Sequence, residues 1–600
     1  MVAVTTSSRP TPRQTLRPDA RWVTAPQPAH EAVAQLCSAL LLPESVCRLL
    51  VNRGYADVDA AKRFLRPRLE HIESPWRLHD AERAVTRIAE AVRSQETIFV
   101  HGDYDVDGMS STALLTRVLR DLGAHHVVPF VPNRLTDGYD LGPAGVRAAQ
   151  AAGARLVITC DCGTSAHAAV AELMTAGIDV IVTDHHLPGH GMPPAFAVCN
   201  PRHPACQSAD KDLAAVGVAY KLALALCEVF AVSPNIAHRQ LDLVALATIA
   251  DVAPLRGENR VFVRYGLKLL AETTHPGLRA LMRSSGLDAK PLTAGRVGFV
   301  LAPRLNAAGR IADARLGLQL LLAEREDEAN VIARELEELN RARQELDRTV
   351  LDDAMRQVES PAMRDQVGFV LSREGWHAGV IGIVASRIVE HTARPAVLVA
   401  VEDGVGKGSG RSISAFDLHA GLGACADLFQ RYGGHRAAAG LTMDAAQLPA
   451  FAERFDAVAR AQLSADDLVP ELRVDLDVSI HAVGEELEKL VRHFEPFGIG
   501  NPSPTFRADG VRLAAPTRRV GTDGLRISVD TTGGTLEGIG WGLAARMPRL
   551  DVSQAYDMAF RLERDEYRGV SRLQLKLTDV RVGGDTAANA QAPTFHTTGA

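Results

Sequence analysis

Between residues 97 and 184, short apolar runs alternate with stretches of helical periodicity. TIFV, VVPFV, RLVITC and DVIVTD are almost continuously apolar, while MSSTALLTRVLRDLG, AGVRAAQAAG and SAHAAVAELMTAG space their apolar residues for a helix. Strands that are apolar on both faces belong in a parallel sheet covered by helices on each side. The alternation therefore predicts an open α/β sheet, and such sheets bind ligands at the carboxyl ends of their strands.

The remaining chain changes texture several times. At about 150 residues per domain, its 600 residues leave room for roughly four units. Residues 1–30 read as a disordered lead, and 31–95 as a helical extension of a catalytic domain running to 314. Residues 315–360 lack proline and carry many charges at helical spacing, which predicts one long helix, or two in tandem, as a connector. Residues 361–468 read as a second small α/β domain, and 469–582 as a β-rich barrel of oligonucleotide-binding type. Residues 583–600 read as a disordered tail. The expected fold class is thus α/β and multidomain.

Charge narrows the function. A net charge of −6 excludes holding nucleic acid by bulk attraction, so any polyanion site must be a local basic groove. No run of about 18 apolar residues predicts a membrane span, and the first 20 residues lack the apolar core of a secretory signal. A cytoplasmic protein with no membrane contact and reduced cysteines is expected. Cys199 and Cys206 flank His203 in CNPRHPAC; a proline-rich loop with buried thiols is preferred there over half a zinc site, because no second ligand pair follows.

The densest chemical signal is HGDYDVDG at 101–108. If the strand continues through it, Asp103, Asp105 and Asp107 share one face with His101 beside them. Packed carboxylates repel, and a hard divalent cation such as magnesium or manganese is the natural counter-charge. Asp161 between two cysteines, Asp184-His185-His186, and Asp251 in ATIADVAPL add acids and imidazoles, two of these groups again at strand ends. Capping of the next helix by Thr164 or Ser165 is the plainer account of the turn at 161–165. Taken together, these groups could hold two metals that activate water and stabilise charge on a transferring phosphoryl group.

The ordered set HGDYDVDG, VPNRLTDGYDL, DCGTS, TDHH and ADVAPL resembles that of the DHH phosphoesterase family, and specifically its single-strand-specific exonucleases. PRLNAAGR, GWHAGVIGIVASR, KGSGRS, RYGGHRAAAG and EPFGIGNPSPTF extend the resemblance over roughly residues 40 to 580. It implies a DHH domain, a DHH-associated domain and an OB-like barrel. It implies one metal on His101, Asp105 and Asp161, and another on Asp107, Asp161, His185 and Asp251. Asp103 and Asp184 would orient those ligands, and His186 would contact the scissile phosphate. Arg134, Ser409 and Arg411 would grip a 5′-terminal phosphate, with Arg304, Asn306, Arg310 and His435 as further phosphate contacts. The implied activity is 5′→3′ hydrolysis of single-stranded DNA with manganese or magnesium, in repair and recombination, alongside a helicase and a single-strand-binding protein. A passage between the two α/β domains would exclude duplex.

Several readings stay open at this stage. Trp376 either stacks on a base or sits in a core, and Tyr104 packs among the aspartates. Arg512, Arg518, Arg519 and Arg561 are candidates for the strand channel, but few aromatics lie between 520 and 545 to stack bases. The rival functions are a phosphodiesterase for short oligonucleotides or cyclic dinucleotides, and a non-catalytic DNA-binding scaffold.

Overall fold

The alternating segments form a parallel sheet in a computed structural model that describes residues 19–583, apart from 135, 190, 289, 548–549 and 568–569. Residues 1–18 of the expected lead and 584–600 of the expected tail lie outside the described residues. The rest of the lead is partly ordered: Arg21–Thr24 is a strand, with Arg21 paired to Glu471 at 2.7 Å. The chain divides into two compact units, one combining residues 24–340 with those from Arg473 onward, the other containing 341–472.

In the first unit the strands Val127–Phe130, Ile98–Gly102, Leu156–Cys160, Asp179–Thr183 and Ala197–Cys199 lie side by side in that order, all parallel. The strand that comes first in sequence stands between the second and third. The chain thus winds to opposite sides from a point between Ile98–Gly102 and Leu156–Cys160, where a crevice opens at the strand ends. The fifth strand ends at Cys199, where CNPRHPAC begins. Among the described residues no group of metal donors forms there, and His203 instead stacks on His79 with ring centroids 3.7 Å apart.

Two glycines set how tightly strand and helix meet at that crevice. A Cβ on Gly102 would collide with Thr112, and one on Gly108 with the backbone of Asp103. The chain leaves the strand at Gly102 and enters the helix Val106–Asp121 almost at once, the two crossing in backbone contact.

Of the N-terminal helices, Ala81–Arg93 packs into the sheet's core, but the three within residues 30–65 do not. Val33, Leu36, Leu50 and Phe64 share one hydrophobic cluster with Leu476, Phe494, Phe506 and Phe560 of the C-terminal block. That block is a closed barrel of five strands, Phe506–Val520, Gly524–Thr531, Gly534–Gly540, Val570–Val582 and Ala555–Tyr567, the last pairing back to the first. Arg260 joins these parts. It is 2% exposed and donates to the carbonyls of Phe64, His493, Phe494, Glu495 and Pro496, with its guanidinium 4.0 Å from the Phe64 ring centroid.

The second unit carries a five-stranded mixed sheet in the order Phe429–Gly434, Ala438–Asp444, Val405–Arg411, Ala396–Glu402 and Phe369–Glu374, with the helices Ile381–Thr392 and Leu448–Gln462. The connector is two helices in tandem, Arg315–Leu322 and Glu326–Val358. Trp376 is buried and donates to Asp353 at 3.0 Å, which places it in a core and away from any base.

Replacing Arg260 with leucine leaves several buried carbonyls without a donor, at about 1–3 kcal/mol for each. Arg260→Leu should lower the thermal unfolding midpoint and expose the 470–583 block to protease; an unchanged midpoint and digestion pattern would contradict this account of the junction.

Candidate metal centre

The acids of HGDYDVDG do not share a strand face. The strand stops at Gly102, and Asp105 is the N-cap of the Val106–Asp121 helix, its Oδ1 accepting the N–H groups of Asp107 at 2.9 Å and Gly108 at 3.1 Å. Asp107 lies in the first helical turn and faces the helix Ala215–Val229. Its carboxylate accepts the N–H groups of Ala215 and Val216 at 2.8 and 2.9 Å. The expected extended stretch is replaced by a helix start because a side-chain cap satisfies otherwise orphaned N–H groups.

The acids converge all the same. Three sets of donor atoms lie within 4.8 Å of one another: Asp103, Asp105 and Asp161; Asp107, His185 and Asp251; and Asp161, His185 and His186. His185 Nε2 stands 3.2 Å from Asp161 Oδ1 and 3.8 Å from Asp251 Oδ2. Asp103, expected to sit behind the ligands, is grouped with them. His101, expected as a ligand, is in none of the three sets. Its buried ring packs against Phe130, with Nδ1 3.6 Å from Cys162 Sγ and Nε2 facing Gly145.

The electrostatics of this crevice call for a cation. Asp103, Asp107 and Asp161 are almost fully buried. Burial, reinforced by the neighbouring Asp105, pushes the Asp161 and Asp103 carboxyls far above the usual range. Burial and the nearby acids raise Asp107 to about 7 and Asp251 to about 8. Burial and the charge of His186 lower His185 to about 4, which leaves its imidazole neutral and able to ligate. Asp161 Oδ1, Asp103 Oδ1 and His185 Nε2 are buried without a hydrogen bond. Unsatisfied buried oxygens with a neutral imidazole are a donor set for hard or borderline divalent ions, so these residues fit manganese or magnesium.

His186 is held differently. Its Nδ1 donates to Asp184 at 2.7 Å, and Tyr139 Oη lies 3.2 Å from Nε2. Burial pushes its pKa down, but the hydrogen bond and charge of Asp184 outweigh that and hold the imidazolium at about 9. Asp184 in turn accepts the N–H groups of Thr164, His185 and His186. The Asp161 turn is strained: Asp161 has φ 65°, and Val252 beside Asp251 has φ 61°, a costly conformation for a β-branched residue.

The expected phosphate contacts divide. Arg134 lies over the Tyr104 ring, 5.1 Å from its centroid. Asn306 Oδ1 accepts the Val106 N–H at 3.2 Å, and Gly309, next to Arg310, packs on the Tyr104 carbonyl. Arg304 is engaged within the protein. Its fork is closed on Glu337, at 2.5 and 3.3 Å, so its geometry is that of an internal ion pair. Ser409 and Arg411 belong to the other unit, adjacent on one strand with Arg411 Nη1 donating to Ser409 Oγ at 3.2 Å. His435 is exposed in the turn of the neighbouring hairpin there.

The sequence reading passed over Tyr139, Asp140 and Asn200. Asn200 donates to the His186 carbonyl at 2.9 Å and to Thr164 Oγ1 at 3.0 Å. Its signal was its place just after a fifth apolar run, the same position that marked the acids.

Without metal, the raised acids hold protons in the folded state that they release in the unfolded state near their ordinary 3.8. The folded state binds more protons between about pH 4 and 8, so stability must fall as pH rises through that window. In chelator the thermal midpoint should drop from pH 5.5 to 8.5, Asp161→Asn should flatten the drop, and manganese should restore the wild type but not the variant. A midpoint that rises with pH in chelator would contradict the buried repulsion.

Three family models match the chain: the DHH family N-terminal domain over residues 97–248, the DHHA1 domain over 365–461 and the RecJ OB domain over 474–579. The single-stranded-DNA-specific exonuclease RecJ of Escherichia coli is 37% identical over 561 residues, 90% of this chain and 96% of its own. That of Bacillus subtilis is 33% identical over 560 residues, 93% of this chain and 70% of its own. The crystal structure of RecJ in complex with Mn2+ from Thermus thermophilus superposes with a TM-score of 0.80 at 34% identity, covering 94% of this chain and 80% of that one. Likeness at this level along nearly the whole length, through all three domains in the same order, makes the chain a member of the RecJ family of DHH proteins.

Proposed function

We propose that the protein is a single-stranded-DNA-specific exonuclease that removes nucleotides in the 5′→3′ direction by hydrolysing phosphodiester bonds. The observation that carries this reading is the convergence of buried, hydrogen-bond-deficient acids on the crevice where the sheet reverses. Asp103, Asp105, Asp107, Asp161, His185 and Asp251 would hold two divalent ions, with Asp161 shared between them. When bound, such a pair supplies a water of lowered pKa and offsets charge on the phosphate.

The protein's own groups do the rest. His186, charged and held through Nδ1 by Asp184, would turn its Nε2–H from Tyr139 to a non-bridging phosphate oxygen and stabilise the charge that develops there. Asp161, kept in its left-handed turn, directs its carboxylate into the crevice without reorganising during reaction. Arg134, with no carboxylate closed on its fork in the described contacts, suits a terminal phosphate, which would set the direction of cutting. Ser409 and Arg411 are further candidates for that phosphate.

The barrel offers one element that the sequence undervalued. Trp541 is 56% exposed, and its ring lies over the Gly521–Gly524 turn of the hairpin whose strands pair Arg518 with Arg526. An exposed indole on a hairpin that carries arginines suits stacking on unpaired bases. A strand with a free 5′ end arises when duplex is opened, so a helicase and a single-strand-binding protein in cytoplasmic DNA repair and recombination are the partners and setting this reading carries. No described helix is long and apolar enough to cross a membrane.

Digestion of a 5′-labelled strand tests the proposal. With manganese, labelled mononucleotide should appear early from the single strand, while blunt duplex and chelated samples stay intact. Turnover of a dinucleotide in preference to the long strand would favour the short-oligonucleotide reading, and inert wild-type protein the scaffold. Trp541→Ala should raise KM for a long strand about tenfold, as loss of one base stack implies, while dinucleotide turnover is unchanged. An equal effect on both substrates would argue against stacking.

A further inference from the structure

Asp140 has a backbone that an aspartate adopts at a cost, with φ 76°. It ends the loop that joins the strand Val127–Phe130 to the helix Pro143–Ala151. The loop's tip is closed on itself: the Asn133 N–H donates to Asp137 Oδ2 at 2.9 Å, and the Asp137 N–H to the Asn133 carbonyl at 2.8 Å. Asp140 is its link to the sheet edge. One carboxylate oxygen accepts two N–H groups, that of Leu141 at 2.8 Å and that of Gly163 at 2.7 Å.

Gly163 belongs to the turn that carries Asp161. That turn is held at several backbone groups: the Asp161 N–H donates to the Thr183 carbonyl, the Cys162 carbonyl accepts from Thr159, the Gly163 N–H donates to Asp140, the Gly163 carbonyl accepts from the Ala166 N–H and the Thr164 N–H donates to Asp184. Gly163 itself has φ 105°, and a Cβ there would press on Thr159 and Val182. One of these restraints thus comes from the loop that also bears Arg134 and Tyr139. Tyr139, next to Asp140, puts its hydroxyl 3.2 Å from His186 Nε2, and Arg134 lies over Tyr104.

We propose that Asp140 is a positioning residue, whose carboxylate clamps the Arg134–Tyr139 loop to the Asp161 turn and so sets where a terminal phosphate is held relative to Asp161 and His186. The proposal rests on the reading of Arg134 as a phosphate contact. The clamp needs an acceptor oxygen reaching Gly163; it does not need a negative charge. A left-handed residue that served only to turn the chain would need neither, and glycine would serve better.

Two full-length variants separate these accounts. Asp140→Asn keeps an acceptor oxygen in place, whereas Asp140→Gly removes it and relieves the backbone. Steady-state kinetics with manganese on 5′-phosphorylated and 5′-hydroxyl strands would be read beside hydrogen exchange of the 133–141 and 161–166 segments, with circular dichroism to verify folding. Asp140→Asn should stay within about twofold of wild type throughout, because its amide oxygen still accepts. Asp140→Gly should fold, exchange faster in both segments, and show KM for the phosphorylated strand raised about tenfold with kcat changed far less, as loss of one buried acceptor implies. Its preference for the phosphorylated end should fall in step.

Asp140→Gly matching wild type in exchange and KM would overturn the clamp. So would Asp140→Asn failing as badly as Asp140→Gly. Failure of the underlying reading looks different: wild type would then show no preference for a 5′-phosphate, while the exchange comparison would still decide whether the loop and turn are clamped.

Discussion

Mutual repulsion among buried carboxylates is the constraint around which this protein is organised. Five acids from three segments, with His185 from a fourth, are held within a few ångströms of one another, in a crevice that withdraws most of the acids from water. No such cluster is stable as a set of anions at neutral pH without a counter-charge. The fold tolerates it because each acid is anchored by backbone. Asp105 caps one helix, Asp107 accepts from the start of another, Asp161 is locked in a left-handed turn, and Asp251 closes the helix Leu241–Ala250. The Asp105 and Asp107 side chains that would hold cations also cap the starts of two helices, so part of the site cannot be loosened without loosening those helices.

Much of this was legible beforehand. Apolar runs ending in acid or histidine located the sheet, its sense and the edge carrying the chemistry. What failed was local geometry. Asp103, Asp105 and Asp107 look like one face of a strand only if the strand continues, and the helix start at Val106 is decided by capping, which competes closely with extension. The pairing of Arg304 with Glu337 could not be read in advance, because the two lie 33 positions apart, a distance at which no pattern reports pairing. The barrel strand Phe506–Val520 runs through Gly510 and Pro516, residues that usually break a strand; irregular pairing between Ala508 and Val511, and between Ala515 and Arg518, absorbs them. The left-handed residues Asp140, Asp161 and Val252 carry no sequence mark of their own.

The junction between sheet and barrel shows a related economy. The first three N-terminal helices, read as an extension of the catalytic domain, bury their apolar faces against the C-terminal barrel, whereas Ala81–Arg93 packs on the sheet. Arg260 works there as a charged hub for backbone carbonyls; burial lowers its pKa to about 9, and it is retained because several acceptors replace its water. Leu255 and Arg256, a few residues beyond Asp251, bond to the backbone of Ile499 and Gly500. The segment bearing one candidate ligand is therefore tied directly to the barrel expected to bind the strand.

The central claim is that these acids hold two cations. Anomalous diffraction from crystals grown with manganese measures it most directly. The account predicts two peaks in the crevice, both within bonding distance of Asp161, one also bound by His185 and Asp251. An empty crevice at saturating manganese, or metal bound only by residues elsewhere, would contradict it.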